Sequence, residues 1–282
     1  MKIVQLSDTH ISHLGGSPTD NAVRIVEFIN ALEPDFVVHS GDVTILDPDE
    51  DRDRVAAREV LAGIAAPLRV LPGNHDVGEP GEEPFGDRPV TSERVAAFRA
   101  HFGEDRFVEE VGDWVVIGVN SELFDSGLPE EDEQWEWIEA LPGLAGPRPA
   151  LFFTHKPVWA FTPELQDPRL SVGPESLPRL EAALAALDVR GYGSGHLHHY
   201  ALTRRDGVPV VSAPSTAFVH RGAVSADIVG PGLIQLGVVE YVVDERGALP
   251  FFRAPHDLVE PEFLQVEQAR LALDAMGVVL PA

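Results

Sequence analysis

A chain of 282 residues, 44 % of them hydrophobic, can bury a full core as one large domain or as one domain with a small appendage. Lys and Arg number 21 against 46 Asp and Glu, a formal net charge of −25. So anionic a surface repels a polyphosphate backbone and cannot drive counterion release, which weighs against nucleic acid as a partner, and with no cysteine there is neither a disulfide framework nor a thiolate ligand.

The opening MKIVQLSDTH lacks the apolar core of a secretory signal, and no stretch approaches the length of a membrane span, so a cytoplasmic protein without a membrane partner is expected. IVQLS reads as a buried strand that ends at Asp8-Thr9-His10. Val23, Ile25, Val26, Ile29 and Leu32 share one helical face, which predicts a crossover helix over 20–32. DFVVHS is a second strand and delivers Gly41-Asp42. Residues 47–54, DPDEDRDR, form a mixed-charge loop into a helix ending near Ala65, before Pro67. PLRVLP then leads to Gly73-Asn74-His75-Asp76.

Residues 78–90 are rich in Gly, Pro and Glu and directly follow that motif; a lid or specificity loop is expected there. Thr91 to Phe102 reads as a helix, 114–121 (WVVIGVNS) as a buried strand, and 130–141 as a helix with acids at its start. Trp135 and Trp137, two apart, cannot share a helical face, so one belongs to the core and the other to the rim. ALFFT is a strand ending at His155. The Pro-rich stretch after it carries Trp159 and Phe161, which either meet the leaving group of a substrate or tuck the loop onto the core. A helix over 176–187 feeds the short strand VRGYGS before Gly195-His196-Leu197-His198. Two hairpins follow, turning at Asp206-Gly207 and near Glu245-Arg246-Gly247, and would complete a second sheet. This marks off a domain of 1–253 and an extension of 254–282, whose helix over 266–277 has an apolar face for docking on the domain or on a second copy in a homodimer.

Strands alternating with helices imply a largely parallel sheet, with ligands beyond the carboxyl ends of its strands. All five polar motifs therefore converge on one edge. Carboxylates, imidazoles and one amide suit Zn, Mn, Fe or Co. In extended backbone the i, i+2 pairs Asp8/His10 and His196/His198 would each leave one face, and a lone carboxylate at Asp42 is suited to bridge two cations.

The ordered set DTH, GD, GNHD, a single His and GHLH resembles the calcineurin-like metallophosphoesterase superfamily, closest to its class III cyclic nucleotide phosphodiesterase and glycerophosphodiesterase branch, over roughly residues 1–220. The resemblance implies an α/β fold with two packed mixed β-sheets flanked by helices, a four-layer α-β-β-α sandwich. It implies one divalent metal ion held by Asp8, His10 and His198, a second by Asn74, His155 and His196, and Asp42 between them. His75 would face the substrate phosphate as the catalytic residue that stabilises or protonates the leaving oxygen, with Asp76 orienting its ring. Many relatives carry an acid three positions after the bridging Asp; here that position is Ile45. The implied activity is hydrolysis of a small soluble phosphodiester, a cyclic nucleotide or glycerophosphodiester, by a metal-bridging hydroxide. Phosphomonoesterase or nuclease action on the same centre, and a binding scaffold that has kept the fold, are the alternatives.

Overall fold

The computed structural model describes residues 1–81, 88–221 and 225–277. The first half runs β1 (Lys2–Leu6), α1 (Ser17–Leu32), β2 (Phe36–His39), α2 (Asp51–Leu61), β3 (Leu68–Val70), the single turn α3 (Asn74–Val77), α4 (Ser92–Phe102), β4 (Phe107–Val111) and β5 (Trp114–Gly118). The second half runs α5 (Pro129–Ala145), β6 (Pro149–Phe153), α6 (Leu177–Leu184), β7 (Asp188–Ser194), β8 (Tyr200–Arg205), β9 (Val208–Ser212), α7 (Ser225–Val229), β10 (Gly232–Leu233), β11 (Val238–Asp244), β12 (Gly247–Arg253) and α8 (Glu267–Ala275).

The strands form a five-stranded sheet in the order β12-β11-β1-β2-β3 and a seven-stranded sheet in the order β10-β8-β9-β7-β6-β5-β4. β1, β2 and β3 are parallel, as are β5, β6, β7 and β9, and antiparallel strands close every edge but that at β3. Alternate residues of each strand go to opposite faces. Ile3, Phe36 and Val38 of one sheet join Trp114, Val116, Leu151 and Phe153 of the other in the seam between them. Val4 and Val37 point outward onto α1, α2 and α4, while Val115, Ile117 and Phe152 point outward onto α5 and α6. β1, β2, β5 and β6 are thus buried on both faces in a four-layer α-β-β-α sandwich, while Val242, Leu249 and Phe251 leave the outer face of β11 and β12 exposed.

The two packed mixed sheets are those the resemblance implies, and the parallel strands that carry the motifs are divided between them. The two hairpins do not build a second sheet together: β8–β9 extends the sheet of β7, whereas β11–β12 returns to pair with β1. In α1 the buried stripe is Ala22, Ile25, Val26 and Ile29, spaced i, i+3, i+4, i+7; Val23 lies off it and is exposed. Trp135 is core, and Trp137 sits half-buried beneath Arg106. Residues 82–87 of the expected lid lie outside the described residues. Among the described residues no helix is long and apolar enough to cross a membrane.

One polar rivet crosses the apolar seam. Gln5 on β1 donates from Nε2 to Ser40 Oγ (2.8 Å) and to the Ser194 carbonyl on β7 of the other sheet (3.0 Å), and accepts from the buried Tyr241 hydroxyl (2.7 Å). It lies directly beneath the loops that follow β1, β2 and β7.

Candidate metal centre

The loops after β1, β2, β3, β6 and β7 leave the carboxyl ends of parallel strands from both sheets and bring seven donors together. Asp8, His10, Asp42 and His198 form one group and Asp42, His155 and His196 a second, with donor atoms within 4.8 Å of one another in each. His10 Nε2 lies 3.0 Å from His198 Nε2, and Asp8 Oδ1 lies 3.3 Å from His198 Nε2. His155 Nε2 lies 3.3 Å from Asp42 Oδ2 and 3.2 Å from Asn74 Oδ1. Asp42 belongs to both groups.

Backbone strain is concentrated at these donors. Asp8, His10, Asp42, His196 and His198 have φ of 52°, 44°, 53°, 72° and 52°. Left-handed backbone costs about 1–2 kcal/mol at a residue with a Cβ. The paired side chains therefore do not sit on extended strands as expected; a left-handed residue at i and again at i+2 turns both inward. Gly73 is required by space rather than by φ, since a Cβ there would run into the Asp42 carboxylate and the His155 ring.

Backbone carbonyls set the imidazole tautomers. A carbonyl only accepts, so the ring nitrogen beside it carries the hydrogen and the other nitrogen keeps its lone pair. His155 Nδ1–H donates to Ser40 O (2.9 Å) and His198 Nδ1–H to Phe218 O (3.2 Å), which turns Nε2 of each toward the centre. His196 Nε2–H donates to Arg169 O (2.8 Å), which leaves its buried Nδ1 without a hydrogen-bond partner. A buried lone pair with no donor costs about 1–3 kcal/mol. An N/O donor set with such an orphan, two buried carboxylates and strained backbone at five positions fits a divalent cation.

Electrostatics agree. Burial alone pushes the Asp8 carboxyl up, but the His198 and His155 imidazoles outweigh it and bring it down to about 2. Asp42 is likewise held well below the carboxylate range, burial being outweighed by His155 and His75. Burial lowers His155 too, yet Asp42 beside it raises it to about 10, whereas burial and then His75 hold His10 well below the imidazole range.

His75 faces the cleft, its ring edge-on to His10 with centroids 4.8 Å apart. Asp76 does not orient it, contrary to expectation. Successive side chains on the turn α3 diverge by about 100°, and Asp76 instead accepts from the backbone N–H of Val43, Thr44 and Gly73 and from the Thr44 hydroxyl, at 2.9–3.1 Å. It clamps the Asp42 loop to the Gly73 loop. Burial, then the charge of Asp42, raises it to about 6 against those hydrogen bonds. The acceptor for His75 Nδ1–H is the Ile45 carbonyl, at 3.1 Å.

His39, an unassigned histidine in the sequence, holds the loops below the donors. Gly41 N–H donates to its Nδ1 (3.2 Å), so Nε2–H faces Thr9 Oγ1 (2.9 Å), whose hydroxyl donates to Val43 O (3.0 Å).

A cleft of about 510 Å3 opens over the donors, walled by Leu170, Leu197, Phe218, Phe263 and Leu273 together with His220. Sequence reasoning had left the Phe and Leu residues unassigned. His220, beyond the motifs, folds back onto the cleft. Trp159 does not line it: its indole donates to Glu181 (2.7 Å), meets Tyr192 edge-on and carries Arg205 on its face. Phe161 is exposed away from the donors.

The profile of the calcineurin-like phosphoesterases matches residues 1–200. The chain belongs to the calcineurin-like phosphoesterase family. Its relatives include the serine/threonine-protein phosphatase CPPED1 of Danio rerio, 28 % identical over 70 % of this chain and 66 % of that protein. The 3',5'-cyclic adenosine monophosphate phosphodiesterase CpdA of Pseudomonas aeruginosa is 30 % identical over 76 % of this chain and 75 % of its own length. A probable glycerophosphodiester phosphodiesterase GpdQ of Arcobacter nitrofigilis is 25 % identical over 92 % of this chain and 100 % of that protein. A solved structure of a dimetal phosphatase from Danio rerio shares the fold, with a TM-score of 0.59 at 11 % identity over 89 % of this chain and 98 % of that one. As a family member the chain is a hydrolase of phosphoric esters, one that uses divalent metal.

Proposed function

We propose that this chain hydrolyses a small phosphodiester on a centre of two divalent metal ions, Mn, Fe, Zn or Co. One ion would be held by Asp8, His10 and His198 and the other by Asn74, His155 and His196. The observation that carries this reading is Asp42, a buried carboxylate shared by both donor groups. Metal bound there would supply an activated water and charge neutralisation for the phosphoryl oxygens.

The chain's own residues do the rest. Asp42, fixed by the Asp76 clamp, keeps the two donor groups at one separation. His75 spends its Nδ1–H on Ile45 O, so its Nε2 is the atom that faces the ester; protonated there, it donates to the departing alkoxide. The apolar walls exclude water from the leaving side. The relatives named as cyclic AMP and glycerophosphodiester phosphodiesterases support a diester, and the relative named as a protein phosphatase supports a second reading, monoester hydrolysis on the same centre.

The test is to strip the purified protein with a chelator, reload Mn, Zn, Fe or Co, count bound metal, and assay bis(4-nitrophenyl) phosphate. About two ions per chain with metal-dependent turnover is expected. Cyclic AMP, glycerophosphodiesters, nucleotide monophosphates and single-stranded DNA are then compared. A reloaded protein that turns over none of them overturns the phosphodiesterase reading; preference for monoesters selects the second reading.

A further inference from the structure

We propose that the cleft beside the metal donors is a subsite for an apolar ester substituent, built in part by the C-terminal segment, so that the substrate is a phosphodiester bearing an aryl or alkyl group. This rests on the phosphodiesterase reading above and narrows it.

The apolar wall begins at the donors themselves. The Phe218 ring stacks on His10, with centroids 4.8 Å apart and planes at 28°, and lies 4.6 Å from His198. Phe263 continues it 5.2 Å from Phe218, and His220 lies 5.6 Å from Phe263. Leu170, Leu197 and Leu273 complete the lining. Among the described lining residues no Lys, Arg or Glu occurs, and Asp42 is the one carboxylate. Arg88, on the far side of His75, is tied to Asp47 at 2.9 Å and to the Leu46 carbonyl at 2.8 Å; the Arg169 guanidinium pairs with Asp167 at 3.0 Å. The Ser225 hydroxyl already donates to the Leu197 carbonyl.

Along the apolar wall, a second anionic group on the substrate would meet no Lys or Arg. Along the Leu and Phe wall, sugar hydroxyls would lose water without regaining partners. An aryl ring or short alkyl chain needs neither, and about 510 Å3 accommodates one.

The C-terminal segment is fixed in place rather than draped. Val219 N–H donates to Pro261 O (3.0 Å) and Phe263 N–H to Val219 O (2.9 Å). Val266 and Ala269 of the segment pack on Ile45, Ala217 and Phe218. Phe263 and Leu273 are thereby held over the cleft.

The experiment uses the metal-loaded full chain and 4-nitrophenyl alkyl phosphates from methyl to octyl, with a carboxylate-terminated analogue of matched length. kcat/KM is expected to climb by up to about fourfold per methylene until the cleft is filled, and the carboxylate analogue to fall at least tenfold below its neutral match. Leu273→Ser should flatten the chain-length slope, and Leu273→Lys should favour the carboxylate analogue; circular dichroism confirms that both variants fold. Affinities of unreactive O-alkyl methylphosphonates, measured by calorimetry, should follow the same slope. Turnover of the methyl ester with no slope in kcat/KM or in affinity overturns the apolar subsite and leaves the phosphodiesterase reading standing. If no ester is turned over, the phosphodiesterase reading falls, and the calorimetric slope alone decides the subsite.

Discussion

His75 Nδ1 lies 3.1 Å from the carbonyl oxygen of Ile45, and the Ile45 side chain is itself gripped by Val266 and Ala269 of the C-terminal segment. The orientation of the proposed acid is thus set by backbone, and that backbone is held by apolar packing from the far end of the chain. An acid at position 45, as the family resemblance suggests for many relatives, would be buried in this apolar contact. Ile45→Asp should lower stability by at least about 2 kcal/mol through lost burial and a desolvated carboxyl, read as a fall in denaturation midpoint. An unchanged midpoint would mean that Ile45 does not bear on the segment.

His75→Ala removes a proton donor without removing a donor to metal. Turnover of an aryl phosphodiester should fall by about 10²- to 10⁴-fold, while metal content measured by mass spectrometry stays near two per chain. Parallel loss of metal and rate would make His75 a ligand.

Asp42 touches both donor groups, so its loss acts on both. Asp42→Asn should bring turnover to background and release metal from both positions, with circular dichroism unchanged. Gly73→Ala tests the same point without altering charge, because the added methyl would occupy the space between Asp42 and His155. Full metal occupancy in that variant would show that the two loops can part without cost.

Metal must compete with a proton at His155. Burial lowers this imidazole, but Asp42 at 3.3 Å outweighs burial and raises it to about 10, so the metal-free protein carries a proton there at neutral pH. Asp42, held well below the carboxylate range, has none to release. Metal binding near neutral pH should therefore release close to one proton from this pair, and affinity should rise by roughly tenfold per pH unit between pH 7 and 9. Calorimetric titrations in two buffers of different ionisation heat count that proton, and His155→Ala should abolish its release. A buffer-independent heat would refute the assignment.

The fold's outline and the convergence of the seven motif side chains were legible in the sequence because each motif follows an apolar run, and such runs end at loops on one rim. The left-handed backbone at Asp8, His10, His196 and His198 was not legible: spacing of two reads as extended strand, and φ is set by the tertiary demand that both side chains turn inward. Nor were the carbonyls of Ser40, Ile45, Arg169 and Phe218 that fix the imidazole tautomers, since every residue has a carbonyl and position alone selects these. Asp76 was misread because adjacency in sequence is not adjacency on a helical turn. The cleft wall escaped because Phe218, Phe263 and Leu273 lie beyond the motifs and read as ordinary core.

The two donor-bearing sheets must keep a fixed spacing, and Gln5 is placed to keep it. Its amide oxygen accepts from Tyr241 on β11 and its amide nitrogen reaches Ser40 beside Asp42 and Ser194 beside Gly195. Tyr241→Phe would strand a buried carbonyl oxygen in an apolar seam, at a cost of about 1–3 kcal/mol. Stability loss alone would make this a core hydrogen bond like any other. A rivet under the metal loops predicts more: with the protein folded at 25 °C, metal affinity should also fall, because Gln5 can then rotate away from Ser40 and Ser194. Gln5→Leu should lower metal affinity further than Tyr241→Phe, since it removes both contacts to the loops. Equal metal affinity in wild type and Gln5→Leu would show that the spacing is set by the apolar seam alone.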